Sequence, residues 1–554
     1  MIKRIRWQIA IALLGMISLG ALLARLTYTL TTVIVPDYGG TYVEGIAGNP
    51  SHINPILWQN DVDRDLISLI FNGLTDSNER GESIPDLARD WEVSEDGLVY
   101  TFHLRRDIRW PDGMPFTADD VVFTIETIQD PRYYSIPYLA ELWRSVTVER
   151  VDDYTVRFTL QEPFTPFMDY TTLGLLPAHL LHDVPVEALP ESQFNLHPIG
   201  TGPFRVKEIS AEHIVLEANP YFHGPKPYLS ELEFRFYPDH ESVFSAYERG
   251  EVNGISHVLP QDLPRVKGDE RLNLFSARLS GYSLIFLNLN KPVFKEKEVR
   301  QALLLALDRQ GLIDRILEGQ GLVAHSPIMP DSWAYDADIK RYEYDPGQAK
   351  ALLDEAGWVD SDGDGIRDKE GVKLEFALLT NDDPMRVRMI EEISREWAMV
   401  GVKAEPQVSG ISGLRRDFLR PRRFDAALCE WGNLPNDPDP YPMWHSTRIK
   451  DEGQNYASFV HPEADEVLEE ARRINDQARR AEMYRRFQEI FAEEVPSLPL
   501  YCPVYSYAVD KTVKGVQVGP MIDPSDRFRN IAQWYINTRR VIVSEAMGFD
   551  KLLK

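Results

Sequence analysis

Cysteine is nearly missing from this 554-residue chain: only Cys429 and Cys502 occur. That excludes a disulfide-rich scaffold and a Cys/His zinc cage. One disulfide outside the cytoplasm, or two buried free thiols, are the readings left open. Acids are missing from the first 36 positions, yet all 86 follow, against 56 of the 60 bases, so residues 37–554 carry a net charge of −30. Such a surface lacks the basic face that nucleic acid requires, and it names no ligand. Catalytic signatures are missing too: there is no G-x-S-x-G, H-E-x-x-H, Walker loop or dinucleotide glycine fingerprint. The twelve His show no ligand spacing; His179 in LLPAHLL reads as a packed turn residue, and Asp119-Asp120 as a helix start. Among so many acids nothing singles out a glycosidase-type carboxylate pair. The expectation is a protein that is not an enzyme, with an extracellular hydrolase as the rival from another class.

What is present begins at the N-terminus. Lys3, Arg4 and Arg6 precede an uncharged run from Trp7 to Ala24, which Arg25 closes. A basic start and a long apolar run make an export signal or a membrane anchor. The run approaches the ~20 residues that span a bilayer, no Cys follows for lipid attachment, and no A-x-A cleavage site is evident. An uncleaved anchor is expected, with the N-terminus cytoplasmic by the positive-inside rule and the bulk of the chain extracytoplasmic.

A hydrophobic fraction of 43% and a charged fraction of 26% are ordinary for a globular protein, and the length calls for two or three lobes. Strand-like and helix-like segments alternate irregularly, giving a mixed α/β class. Leu98–Leu104 alternates as a strand. Thr117 caps a helix over 118–129, and 146–151 with 155–160 reads as a hairpin. The glycines of PIGTGPF (198–204) indicate unusual φ or a close backbone approach before the strand 204–209. Further strands are expected over 232–237 and 283–290. A single amphipathic helix is expected over 298–317, another over 347–356 with Asp345 as N-cap, and two more near 463–473 and 478–494.

Two segments carry candidate chemistry. The first, CEWGNLPNDPDPYPMWHS (429–446), packs four Pro, two Trp and one Tyr into 18 residues. The prolines argue for an irregular loop. Aromatics beside amides and carboxylates on a rigid loop suit a ligand site; a surface plug is the alternative. The second, Asp360, Asp362, Asp364, the Ile366 carbonyl and Asp368, follows the D-x-D-x-D-G-x-x-D order of a calcium loop. Gly371 stands where a full EF-hand has a bidentate Glu. A water-filled acidic turn is the alternative to structural calcium.

Several ordered stretches then resemble one family. They are Asp96–Asp107 (DGLVYTFHLRRD) with Trp110-Pro-Asp-Gly and Phe116-Thr-Ala-Asp-Asp-Val-Val, PIGTGPF, Asn219–Tyr228 (NPYFHGPKPY), and Ala351–Trp358 (ALLDEAGW). The family is the family 5 extracellular solute-binding proteins, the oligopeptide-, dipeptide- and nickel-binding components of ABC importers. The resemblance implies a two-lobed periplasmic-binding-protein-like fold of class II type with an extra third subdomain. Its expected layout is a signal or anchor at 1–36; lobe I from 37–60, 190–272 and 503–540; the extra subdomain at 61–189; lobe II at 273–502; and a C-terminal tail at 541–554. It implies a monomeric receptor for peptides or similar small polar solutes, partnered by an ABC permease and needing no cofactor. Sugar, nickel-chelate or opine ligands, or a signalling role, are the alternatives on the same fold. The ligand would meet Trp431, Asn433, Tyr441, Asp437 and Tyr282. Leu434 stands where peptide-binding members place an Asp for the ligand's α-amino group, so a peptide would need another carboxylate. Arg415, Arg416, Arg422 and Arg423 could reach a ligand carboxylate or simply form a solvated basic turn.

Overall fold

The computed structural model describes residues 2–78, 81–450 and 453–542. The expected C-terminal tail therefore lies outside the described residues beyond Ile542. A twelve-stranded mixed sheet forms the backbone of the molecule. Its longest strand, Ser497–Asp510, runs across the boundary expected between the lobes. The first part pairs with Gly281–Leu287 and Gly321–Val323, the later part with Leu272–Arg278 and Gly254–Ile255. Beyond Gly254–Ile255 come Thr41–Ala47, Glu231–Tyr237, His213–Ala218 and Phe204–Ile209; beyond Gly281–Leu287 come Ala426–Gly432, Glu375–Asn381 and Lys403–Ser409. The segment expected as the extra subdomain carries a separate four-stranded antiparallel sheet, Ala88–Val93, Val99–Leu104, Thr155–Leu160 and Val146–Asp152.

Strand alternation builds the lobe II cores. Every residue of Gly281–Leu287 is buried. Tyr282, Leu284 and Phe286 join Trp444, Tyr484 and Phe491 on one face, while Ile285 and Leu287 join Leu303, Leu378 and Trp397 on the other. This period of two is what a strand covered on both sides requires. The segments expected as lobe I and as the extra subdomain share one continuous core, including Tyr42, Leu66, Phe158 and Trp534.

Local signals were obeyed where their causes are local. The helix Ala118–Gln129 starts with the expected capping box between Thr117 and Asp120, and Pro346–Glu355 starts with Asp345 accepting the Gln348 N–H. The glycines of PIGTGPF answer a close approach: a Cβ on Gly202 would meet the Ile70 carbonyl carbon at 2.6 Å. The single helix expected over 298–317 is instead two, Lys297–Leu305 and Arg309–Ile316. Asp308 breaks it by capping the second helix through the Gly311 N–H, and Arg309 is buried against the carbonyls of Ala324, Pro499 and Tyr342. Both cysteines are buried and free.

At the N-terminus, Ile2–Thr31 is one helix; its described large apolar side chains, such as Leu14 and Ile17, are exposed. It runs directly into the strand Thr32–Pro36, which pairs antiparallel with Thr538–Ile542, the last strand among the described residues. Among the described residues, no helix is long and apolar enough to cross a membrane; several side chains of the first helix lie outside that description.

Candidate functional site

The 429–446 segment departs from the expected loop at both ends. Cys429–Gly432 belong to an interior strand paired along Gly281–Leu287, because the prolines begin only at Pro435 and nothing earlier obstructs pairing. Tyr441–Trp444 form a helical turn. The chain leaves the sheet at Asn433, whose φ of +56° lies in the left-handed region that Asn tolerates. Glu375–Asn381 runs parallel to both Lys403–Ser409 and Ala426–Gly432. Asn381, Ser409 and Gly432 therefore end on one side of the sheet, the side on which open α/β folds take ligands.

Between its ends the segment touches all three parts of the molecule. Asn433 faces Ile522 of lobe I and Arg64 of the 61–189 segment: with its amide oxygen and nitrogen exchanged, the nitrogen donates to the Ile522 carbonyl (3.1 Å) and the oxygen accepts from Arg64 Nη1 (2.8 Å). Arg64 is itself bound to Asp523 and lies over the Trp58 ring at 4.6 Å. Leu434 is tied to the lobe crossing at Ser280, whose Oγ donates to the Leu434 carbonyl (2.9 Å) and whose carbonyl accepts the Leu434 N–H (3.1 Å). Asn436 and Asp437 meet the extra subdomain: Asn436 Nδ2 donates to Ser77 Oγ at 3.4 Å, and the Asp437 N–H donates to Asp169 Oδ2 at 2.8 Å. Farther along the same rim, Arg448 pairs with Glu141 at 2.9 Å.

The five expected ligand residues take different positions. Trp431, at the strand end, is half-buried with its edge toward Tyr456, and Asn433 is exposed. Asp437 accepts two hydrogen bonds from the buried guanidinium of Arg480, at 2.6 and 2.9 Å. Burial holds its carboxyl above the ordinary range against that cation. Tyr441 stacks on His445 at 4.1 Å under the Arg472 guanidinium, which also bonds Asp439 at 2.9 Å. Tyr282 is the departure: it is buried in the sheet with its hydroxyl on Met443 Sδ (3.4 Å), and burial pushes its pKa up. Its position supports packing under the loop rather than ligand contact. Arg64, Asp169 and Arg480 were not singled out by sequence, and no local pattern marks them, because their partners lie far away in the chain.

The basic turn is a π-helical segment, Leu414–Leu419. With Ile411, Ser412 and Arg420, its Arg415 and Arg416 line an open hollow of about 380 Å³ just after the strand Lys403–Ser409. In the acidic loop, carboxylate oxygens of Asp360, Asp362 and Asp364 lie within 4.8 Å of one another. Lys373 already bonds both Asp362 and Asp364. Asp360 accepts the Gly363 and Gly365 N–H groups, Asp368 accepts from Ser361, and the Ile366 N–H donates to Asp364. The loop is thus closed by its own donors, and a cation would have to displace Lys373.

Comparison with known proteins places this architecture. The sequence profile of the bacterial extracellular solute-binding proteins, family 5 (middle), matches residues 82–451. The oligopeptide-binding protein AppA of Bacillus subtilis is 32% identical over 518 residues, 90% of this chain and 92% of that one. A dipeptide-binding protein of Escherichia coli is 30% identical over 536 residues, 92% of this chain and 96% of its own. The solved structure of AppA with a nonapeptide superposes with a TM-score of 0.73, covering 91% of this chain and all of that one at 31% identity. NikZ of Campylobacter jejuni, in complex with Ni(L-His), gives 0.74 at 29% identity, covering 89% and 99%. The chain belongs to the family 5 bacterial extracellular solute-binding proteins.

Proposed function

We propose that this receptor captures peptides or similar small polar solutes outside the cytoplasm and hands them to an ABC permease. The carrying observation is the segment 431–439, which contacts lobe I, the lobe crossing and the extra subdomain at once. A ligand held there would bridge the moving parts and stabilise the closed form. In this reading Trp431 supplies an apolar wall and Asn433 a hydrogen-bonding amide. Asp437 and Tyr441 hold the loop in shape, and the Arg415 and Arg416 hollow suits a ligand carboxylate. The exposed apolar helix Ile2–Thr31 serves as tether. Calcium in the acidic loop would be a structural addition, taken only at the expense of Lys373.

A ligand without a free amine is the second reading. Leu434 offers no carboxylate, and Asp437 and Asp439 are already matched by Arg480 and Arg472. Native mass spectrometry of the purified full chain separates the readings: a co-purified peptide supports the first, a metal chelate or sugar the second. Turnover of glycosides or esters by the protein would sink both. Trp431→Ala is expected to weaken affinity for the co-purified ligand at least tenfold with an unchanged melting temperature, and an unchanged dissociation constant would remove Trp431 from the site.

A further inference from the structure

Charges at the contact between the binding loop and the extra subdomain do not balance. Asp437 is matched by Arg480 and Asp439 by Arg472, one to one. Asp169, at the end of the short helix Phe167–Tyr170, is a third carboxylate in the same contact, and among the described residues no cation forms a salt bridge with it. What it holds is the backbone: the Asp437 N–H donates to it at 2.8 Å across the lobe boundary. The groups facing it are the Asp437 carboxylate and the Asn436 N–H from the loop and Arg480 from the helix Gln477–Glu494; the Tyr100 and Tyr484 hydroxyls face Asp437 and Arg480 on the other side. Asp439 and Arg472 lie one step beyond.

We propose that Asp169 is the positioning residue that fastens the binding loop to the extra subdomain when the lobes close, and that closure takes up a proton at this carboxyl. The proposal rests on the reading of 431–439 as the binding loop. Two facing carboxylates share one arginine, so bringing the lobes together at high pH buries a negative charge that no cation meets. A protonated Asp169 removes that charge and still accepts the Asp437 N–H through its carbonyl oxygen. Burial, and after it the neighbouring Asp437 carboxylate, push the Asp169 carboxyl up to about 7 against the pull of the Asp437 and Asn436 N–H groups and of the Arg480 cation. In the open form, facing water, the group returns to the ordinary value of about 4. The closed-state value is the higher one, so the stabilisation of closure is complete below the open-state value and is lost as pH rises through about 7. Between pH 8 and pH 6 the closed-to-open ratio should rise about tenfold.

The test needs no ligand, so its failure is distinguishable from a wrong assignment of the solute. Spin labels at Asp183→Cys, on the extra subdomain, and Glu470→Cys, on lobe II, report the distance distribution in ligand-free full-length protein by pulsed electron resonance. Both sites are exposed and both native thiols are buried. The expected result is a closed-to-open ratio about tenfold higher at pH 6 than at pH 8. Asp169→Asn, which keeps the acceptor and removes the titration, should flatten the profile and exceed the wild-type ratio at pH 8. Asp169→Ala, which loses both the acceptor and the charge, should fall below the wild type at pH 6 and below Asp169→Asn at both values. A wild-type ratio that ignores pH, or a tenfold change that survives in Asp169→Asn, overturns the proposal; melting curves of each variant exclude unfolding as the cause.

Discussion

Replacing Arg527 by Met should unfold lobe I, together with the extra subdomain whose core it shares, well before lobe II. Arg527 is fully buried and bonds Glu44 through Nε and Nη2, Asp65 through Nη1 and Nη2, and the Pro524 carbonyl, all between 2.6 and 3.2 Å. It joins the strand Thr41–Ala47, the helix Asp61–Ile70 and the turn Pro524–Phe528, which lie at opposite ends of the sequence. Methionine keeps the stem and deletes the charge, leaving two buried carboxylates without a cation. Breaking a buried pair from one side costs about 3–5 kcal/mol. At about 2–4 °C per kcal/mol for a lobe of this size, the first calorimetric transition should fall by roughly 6–20 °C at pH 8. The loss should shrink in acid. Burial already holds the Asp65 carboxyl at about 6 against Arg527, and removing the arginine raises it further. A folded-state value above the unfolded one stabilises below the unfolded value and fails as pH rises through the folded one. The gap between variant and wild type must therefore widen from pH 5 to pH 8. Adding Glu44→Gln and Asp65→Asn to Arg527→Met should recover most of the loss. A gap below about 1 kcal/mol at pH 8, where a broken buried pair should cost severalfold more, or one that does not vary with pH, would refute the reasoning.

The thiols offer a second check. Burial pushes Cys429 up to about 12 and Cys502 up to about 11, and the thiolate is the reactive form. Neither should react with a thiol reagent at pH 8 in the native protein, and both should react in guanidinium; rapid labelling of the folded chain would show that the sheet around Gly281–Leu287 opens. For the acidic loop, isothermal titration should show tighter calcium binding by Lys373→Met than by wild type, since the competing ammonium is gone. Equal heats in the two proteins would mean that Asp362 and Asp364 take no part in holding the ion.

How far the sequence could be read depended on how far apart the partners were. The Thr117–Asp120 box and the Asp345 cap involve neighbours in the chain, so their helices began where the residues said. The break at Asp308 was hidden because the apolar stripe runs on through it; what decided was Arg309, whose carbonyl partners reach as far as Pro499. The aromatic loop was visible by composition, yet its first four residues are strand, since sheet pairing is settled by Gly281–Leu287 on a distant segment. Tyr282 looked available beside the loop only because burial on both faces of a strand cannot be seen from one strand alone. Asp169 and Arg480 carried no signal, being one acid and one arginine among many until the fold sets them on either side of Asp437.

The pairing of the first strand with the last has a kinetic consequence. Among the described residues Thr32–Pro36 pairs only with Thr538–Ile542, and Glu44 and Asp65 are met by Arg527, more than 450 positions further along. Contacts of such sequence separation form late and slowly. A chain folding from its N-terminal side cannot lock Glu44 and Asp65 in place until Arg527 is available. The cation that Glu44 and Asp65 need is therefore among the last partners to reach them, and their burial waits on it.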